Sequence, residues 1–251
     1  MSVKKLLGTI IQADKDYNLI EENDKIAVGV SGGKDSTLLL YLLTLYQKVA
    51  KKMFNKNFEV IGIHIEMGFS GMDFKTLDEY CLKENLILYH EPSKIYDILK
   101  LHPKNDKIQC SLCSKLKKGA VNKKAKELGC NKVAFGHHLD DAVETLFLNM
   151  IHGGKLATFD PKMHLSDANI TFIRPLIYIN ESDINSLSDK LQIPIVKSTC
   201  PNDGYTHRQK VKDLLNNLYD EFPLAKKNFK LMLHNEKQMS LWHILEKKNN
   251  L

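Results

Sequence analysis

Apolar and polar positions along the chain follow two periods, and the periods alternate. Lys25-Ile26-Ala27-Val28-Gly29-Val30 is a short continuous apolar run, the pattern of a strand buried on both faces. From Thr37 to Met53, Leu38, Leu39, Leu42, Leu43, Leu45, Tyr46 and Val49 recur at helical spacing with no breaker. The same alternation continues: a strand at Phe58–Ile65, a helix over 74–85, a strand over 86–90 and a short helix over 93–101 that stops before Pro103. A lysine-rich helix over 114–128 ends at Gly129, a C-cap residue type. The fourth strand is Lys132–Gly136, and the helix over 139–151 carries Val143, Leu146, Phe147 and Met150 at core spacing before Gly153-Gly154. Residues 155–170 read as irregular, and Phe172–Pro175 leads to a helix over 182–191. Ile193–Val196 reads as a fifth strand, and two helices over about 206–219 and 223–246 close the chain. Residues 1–23 form a lead-in amphipathic helix with Leu6, Leu7, Ile10 and Ile11 on its apolar side. Strands alternating with helices predict an α/β fold: a doubly wound, mainly parallel five-stranded sheet with added N- and C-terminal helices. No repeat or linker divides it, so residues 1–251 are expected to form a single domain, with a helical extension from about 206.

Bulk properties narrow the setting. At 251 residues and 43% hydrophobic content the chain has the composition of a globular protein. No apolar run reaches membrane-spanning length and no signal-peptide core opens the sequence, so a cytoplasmic address without membrane contact is expected. The net charge of +6 favours a polyanionic partner. Five cysteines, an odd number, argue against a disulfide framework. Cys81 and Cys130 sit in apolar surroundings and read as small core residues; Cys110, Cys113 and Cys200 do not.

Chemistry begins where the first strand ends. Ser31-Gly32-Gly33-Lys34-Asp35-Ser36 places a glycine turn between a strand and a helix N-terminus. Glycines let backbone approach a phosphate, free N–H groups and the helix dipole favour negative charge, and Lys34 adds a positive one. A turn merely capped by Ser31 or Ser36 would explain the serines but not Asp35. A carboxylate beside a phosphate makes sense with a magnesium ion between them. The string resembles the PP-loop of the N-type ATP pyrophosphatases and lacks the Walker spacing. That resemblance implies cleavage between the alpha and beta phosphates. Gly136-His137-His138-Leu139-Asp140-Asp141 follows the fourth strand, so the fold brings it to the same end of the sheet, where ligands bind. Helix capping accounts for one aspartate. The other is left for magnesium or the attacking group, with Glu144 one turn on. His137 and His138 have a purely hydrogen-bonding role as the plain alternative.

Cys110-Ser111-Leu112-Cys113 is a CxxC at the head of a basic helix, and Cys200 follows the last strand. A redox dithiol, half a zinc site and incidental cysteines are each compatible with the pair, although no second Cys or His pair completes a zinc set. Three thiolates are one short of the usual four for an iron–sulfur cluster, which would leave one iron open to exogenous sulfide.

Taken together with Cys110–Gly119 and Gly136–Asn149, the opening loop resembles the tRNA 2-thiocytidine synthetase branch of the PP-loop tRNA-thiolating ATP pyrophosphatases. Gly153-Gly154-Lys155-Leu156, Ile173-Arg174-Pro175-Leu176 and Arg208–Lys212 extend the likeness over about residues 1–220. The resemblance implies ATP binding by Ser31, Gly32, Gly33, Lys34, Asp35, Ser36, His64, Gly136 and Asp140. It implies Mg2+ on Asp35 and Asp141, catalytic roles for Asp35, Lys117 and Asp141, and a 4Fe-4S cluster on Cys110, Cys113 and Cys200. RNA contact falls to Lys115, Lys118, Lys123, Lys124, Lys126, Arg208, Lys210 and Lys212, for which a solvated helix face is the plain alternative. The implied reaction is adenylation of the C2 oxygen of a pyrimidine in tRNA, cytidine 32 of the anticodon loop, followed by its replacement with sulfur. The sulfur donor would be a cysteine desulfurase or free sulfide. Two departures stand out: Lys197 replaces a cysteine common in the branch, and Lys117 replaces an arginine. The second resembles relatives that thiolate uridine 54 in the T-loop, whose extra zinc cysteines are missing here. Other readings are a cluster-dependent desulfidase, a lysidine-type ligase without need of the thiols, and a non-catalytic nucleotide or redox module. Leu231, Met232, Met239, Leu241, Trp242 and Leu245 read as core or as a homodimer contact.

Overall fold

The computed structural model describes residues 1–103, 108–202 and 207–235. Among these residues the chain forms α1 (Val3–Tyr17), β1 (Asp24–Gly29), α2 (Lys34–Phe54), β2 (Phe58–Glu66), α3 (Lys75–Lys83), β3 (Leu88–Pro92), α4 (Ile95–Leu101) and α5 (Cys110–Glu127). The order continues with β4 (Lys132–Ala134), α6 (Leu139–Gly153), β5 (Lys162–Leu165), β6 (Ile170–Ile173), α7 (Glu181–Lys190), α8 (His207–Glu221) and α9 (Ala225–Met232).

The strands form one sheet in the order β3-β2-β1-β4-β6-β5, parallel throughout except for the β5–β6 hairpin. β1 lies inside it with Ile26, Ala27 and Val28 fully buried, as a strand covered on both faces requires. One face packs against α1, α2, α3 and α7 through Leu6, Ile10, Leu38, Leu42, Tyr46, Leu77 and Ile184. The other packs against α4 and α5 through Ile95, Leu99, Val121 and Ala125. A small third cluster, Val143 with Val211 and Leu215, docks α8 on α6, and Phe229 of α9 joins it. From β1 the chain winds toward β2 and β3; from β4 it winds the other way. The switch in strand order therefore falls between β1 and β4, and a crevice opens at their carboxyl ends.

The α/β class and the mainly parallel sheet are as expected, with three local differences. The sheet has six strands among the described residues, because β5 arises inside the stretch expected to be irregular and the 172–175 lead-in belongs to β6. β5 is an edge strand of partly exposed residues, so its sequence carries no apolar period, whereas Ile170, Phe172 and Ile173 of β6 are buried beside β4. The expected fifth strand at 193–196 is an irregular arm. Pro194 has no N–H to give a ladder, and the Val196 N–H donates to the Gly32 carbonyl of the glycine loop at 2.9 Å. The lead-in helix stops at Tyr17 because Asn18 turns left-handed at φ 47°; Leu19 and Ile20 beyond it are still buried. Of the closing helix expected over 223–246, α9 is described; Met239, Leu241, Trp242 and Leu245 lie outside the described residues. Among the described residues no helix is long and apolar enough to cross a membrane.

Candidate active site

The loop leaving β1 is built to stay open. Ser36 Oγ accepts from the Ser31 N–H at 3.0 Å and donates to the Gly33 carbonyl at 3.0 Å, while Thr37 Oγ1 donates to the same carbonyl at 3.1 Å. The serines thus bind the loop to itself, and no side chain caps α2 after Gly33. Uncapped first-turn N–H groups at a helix N-terminus are anion donors. Gly32 sits at φ 86°, and a Cβ there would lie 2.9 Å from Val196 Cβ, so both conformation and packing require glycine. His64, buried on β2, donates from Nδ1 to the Val30 carbonyl at 2.8 Å, and its burial lowers its pKa. A neutral ring braces the loop from below.

Gly136 follows β4 and touches the loop's helix: a Cβ there would meet Asp35 C and Ser36 N at 3.1 Å. Next, His138 and Asp141 form a capping box on α6. His138 Nδ1 accepts from the Asp141 N–H at 3.3 Å, and Asp141 Oδ2 accepts from the His138 N–H at 3.0 Å. The other Asp141 oxygen takes Arg208 of α8 at 3.2 Å; Arg208 also reaches Glu144 Oε2 and Thr145 Oγ1, each at 3.1 Å. Asp35 faces Asp141 across the crevice. Its pKa is raised, chiefly by burial and then by Asp141 and Glu181 against His138 and Lys34, and its Oδ1 is buried without a hydrogen-bond partner among the described residues. An orphaned carboxylate oxygen beside a second carboxylate suits a hard divalent cation, since ionised oxygens are its preferred ligands and a buried one costs heavily when unpaired.

Two basic residues and two thiols complete the cavity, which encloses about 550 Å³. Lys117 and Lys118 line it from α5. Cys113, one turn before Lys117, and Cys200, on the arm after Val196, line the same cavity. Cys110 precedes Cys113 by one turn, and Asn202 Nδ2 donates to its Sγ at 3.5 Å and to the Ile108 carbonyl at 2.6 Å, tying the arm to the head of α5. Burial pushes the Cys113 thiol up; Lys117 opposes this, and the nearby Cys200 and Cys110 add to it. All five cysteines are free thiols. Among the described residues no three Cys, His, Asp or Glu side chains converge on a point that one metal ion would occupy. A multi-iron cluster takes each thiolate on a separate iron, so three thiols spaced over the head of α5 and the arm tied to it fit it better than they fit zinc. Cys81 and Cys130 are buried elsewhere, each pushed up to about 11, as core thiols are.

Several expected site residues are placed differently. Asp140 does not line the cavity: its Oδ2 accepts from the Glu181 N–H at 2.8 Å, and Oδ1 pairs with Lys230 at 3.3 Å and Lys226 at 3.4 Å. Burial alone would raise its pKa, but that N–H and the two lysines hold it low. Arg208 is engaged with the carboxylates instead of facing outward, and Lys118 is half-buried with its pKa lowered by burial and by Arg174 and Arg208. Lys124 is paired with Glu91 at 2.8 Å, and Lys212 with both Glu181 oxygens at 2.7 Å. Lys115, Lys123, Lys126 and Lys210 are exposed. His137 is pushed down to about 4, mainly by burial, so it is neutral beside the carboxylates. Glu181, 3.7 Å from Lys34, was missed because nothing in its local sequence marks it. Arg174, buried with its guanidinium 4.7 Å over Phe159 and donating to the Asp160 carbonyl, was visible only as part of a motif.

A PP-loop domain family matches residues 5–217. A protein named tRNA-cytidine(32) 2-sulfurtransferase from Geotalea uraniireducens is 38% identical over 92% of this chain and 91% of its own. Another of that name, from Geotalea daltonii, is 36% identical over 98% of this chain and 95% of its own. Among solved structures, a U34-tRNA thiolase from Methanococcus maripaludis with its 4Fe-4S cluster superimposes with a TM-score of 0.71. At 24% identity over 93% of this chain and 79% of that one, it speaks for the fold.

Proposed function

Because the chain belongs to the PP-loop domain family, alongside the tRNA-cytidine(32) 2-sulfurtransferases, we propose that it is an ATP-dependent tRNA sulfurtransferase. It adenylates the C2 oxygen of cytidine 32 and replaces that oxygen with sulfur. One observation carries this reading: Cys113 and Cys200 open into the same cavity as the glycine loop and Asp35. A nucleotide-activating enzyme of another kind has no need of thiols there.

The residues divide the work by position. Gly32, Gly33 and the uncapped start of α2 hold the phosphates, with Lys34 supplying positive charge. Asp35, with Asp141 beside it, would hold Mg2+, which neutralises charge on the phosphates when bound. The pyrimidine C2 oxygen forms a bond to the alpha phosphorus as the bond to pyrophosphate breaks, and Lys117 offsets the charge that develops. Sulfur then displaces AMP at C2. Cys110, Cys113 and Cys200 would hold a 4Fe-4S cluster, whose chemistry when bound is to present sulfide delivered by a cysteine desulfurase or as the free ion. Neutral His137 accepts or donates hydrogen bonds without adding charge. Exposed Lys115, Lys123, Lys126 and Lys210 contact the RNA phosphates. Residues 1–251 act as one domain, in the cytoplasm.

Nucleoside mass spectrometry of tRNA from a strain lacking the gene tests this. Loss of 2-thiocytidine is the expected result; loss of 2-thiouridine from position 54 instead, or of neither, refutes the assignment. Oxygen-free assays should show pyrophosphate release that depends on tRNA, which a desulfidase or a redox module would not give.

A further inference from the structure

The cavity must take two bases in turn or together, the adenine of ATP and the pyrimidine to be modified, and two phenylalanines line it, Phe69 and Phe135. Phe135 is locked in place. It stands edge-on to Phe172 at 4.9 Å, and a Cβ on Gly29 would strike it at 3.3 Å, so it belongs to the floor formed by the strand ends. Phe69 is different. It rides on a short turn between Gly68, at φ 84°, and Gly71, at φ 81°. That turn is anchored from behind: the Tyr96 N–H donates to the Met67 carbonyl at 3.0 Å, and the Ser93 N–H to the Glu66 carbonyl at 3.0 Å. Tyr96 packs against Phe69 with ring centroids 4.6 Å apart, and Lys100 lies 4.6 Å over the Tyr96 ring. On its other side the turn abuts the thiol arm, since a Cβ on Gly71 would come within 3.9 Å of Thr199 Cγ2, next to Cys200. Phe69 is only partly buried, and it lines the cavity together with Cys113 and Cys200.

We infer that Phe69 is the stacking platform for the target pyrimidine, which leaves the RNA stack and rests on the ring beside the thiols. Enzymes that do chemistry on a base take it out of its stack, and single-stranded RNA bases are held on aromatic faces. The turn has the parts this needs: a rigid backing in Tyr96, glycines that set the ring forward, and an edge shared with the segment that carries Cys200. The inference rests on the tRNA-thiolating role proposed above.

An anticodon stem-loop carrying the fluorescent cytidine analogue pyrrolocytidine at position 32 tests it with the full-length protein, alongside a T-loop stem with the same analogue at position 54. Wild-type protein should change the fluorescence of the first. Phe69→Ala and Phe69→Leu should lose that change and lower kcat/KM for tRNA roughly 5- to 150-fold, the range for one base–aromatic stack, with KM for ATP unmoved. Phe69→Tyr should restore both. Leucine keeps an apolar side chain against Tyr96 without the aromatic face, so full activity in Phe69→Leu would mean that packing alone is at stake and would overturn the inference. A raised KM for ATP in Phe69→Ala would likewise overturn it by placing adenine on the ring. A wild-type response that persists in Phe69→Ala refutes the platform and leaves the thiolase reading intact. No wild-type response at either position refutes the thiolase reading itself.

Discussion

Adding one methyl group at Gly136 should damage the enzyme more than its size suggests. The new Cβ would lie 3.1 Å from Asp35 C and Ser36 N and 3.2 Å from the Asp35 carbonyl oxygen, all of them backbone atoms at the start of α2. None can swing aside as a side-chain tip would, so the loop after β4 and the glycine loop must part by a few tenths of an ångström. Over-packing of this kind costs about 1–3 kcal/mol, and in a chain of this size each kcal/mol lowers Tm by about 2–4 °C. The displaced atoms carry Asp35 and the uncapped N–H groups at the start of α2. If a 1 Å misplacement costs about 100-fold in rate, this shift should lower kcat for tRNA-dependent pyrophosphate release by about 5- to 10-fold. Gly119→Ala is the control: nothing lies within 4 Å of its Cβ and it sits in the interior of α5. Alanine there should stabilise by about 0.5–1 kcal/mol, the helix-propensity gain. Melting and turnover of Gly136→Ala that match the wild type would refute the contact between the two loops, and with it the shared crevice.

Arg208→Ala removes the cation 3.1 Å from Glu144, a carboxylate with 5% residue exposure. Burial and Asp141 already raise the Glu144 pKa while Arg208 holds it back, so the variant should carry it higher. A raised folded pKa makes the buried charge a cost above that pKa, relieved as the pH falls through it, so the variant's Tm deficit should shrink as the pH is lowered from neutral toward the ordinary glutamate range. A deficit that grows on acidification would reverse the sign. Lys132→Met strands Asp24, 3% exposed and 2.6 Å from the lysine, and should cost about 3–5 kcal/mol in urea unfolding. Because Lys132 opens β4 and the crevice lies at the strand's other end, KM for ATP should not change. Cys113→Ser should abolish the brown iron–sulfur absorbance of protein purified without oxygen while leaving ATP binding intact; equal colour in variant and wild type would remove Cys113 from the ligand set.

What the sequence disclosed, and what it hid, follows from the range of each interaction. β1, β2 and α2 are marked by apolar runs long enough to have a period, and the two loops at the β1 and β4 ends announce themselves because glycine is needed where backbones touch. β5 carries no such mark, since an edge strand of Lys162, Met163, His164 and Leu165 need not alternate. The arm at 193–196 misleads for the opposite reason. Ile193, Ile195 and Val196 have the look of a strand, but Ile195 is exposed and the arm's bond goes to the glycine loop instead of a sheet edge. An extended apolar segment reads the same whichever partner takes it.

That same bond is what the linear spacing of the cysteines could not reveal. Cys110 and Cys113 share a helix turn, but Cys200 reaches them through two contacts made by its own neighbours. Upstream, Val196 hydrogen-bonds to Gly32 and fills the space where a Cβ would be. Downstream, Asn202 bonds to the Ile108 carbonyl and the Cys110 sulfur. One end of the arm is therefore pinned to the glycine loop and the other to the thiol pair. Gly32 then serves two ends at once: its left-handed backbone makes the turn of the glycine loop, and its missing side chain admits Val196, four residues before the third thiol. On the proposed reading, an arm that places the thiols by leaning on the glycine loop ties the two centres together, as adenylation followed by sulfur insertion at a single carbon requires.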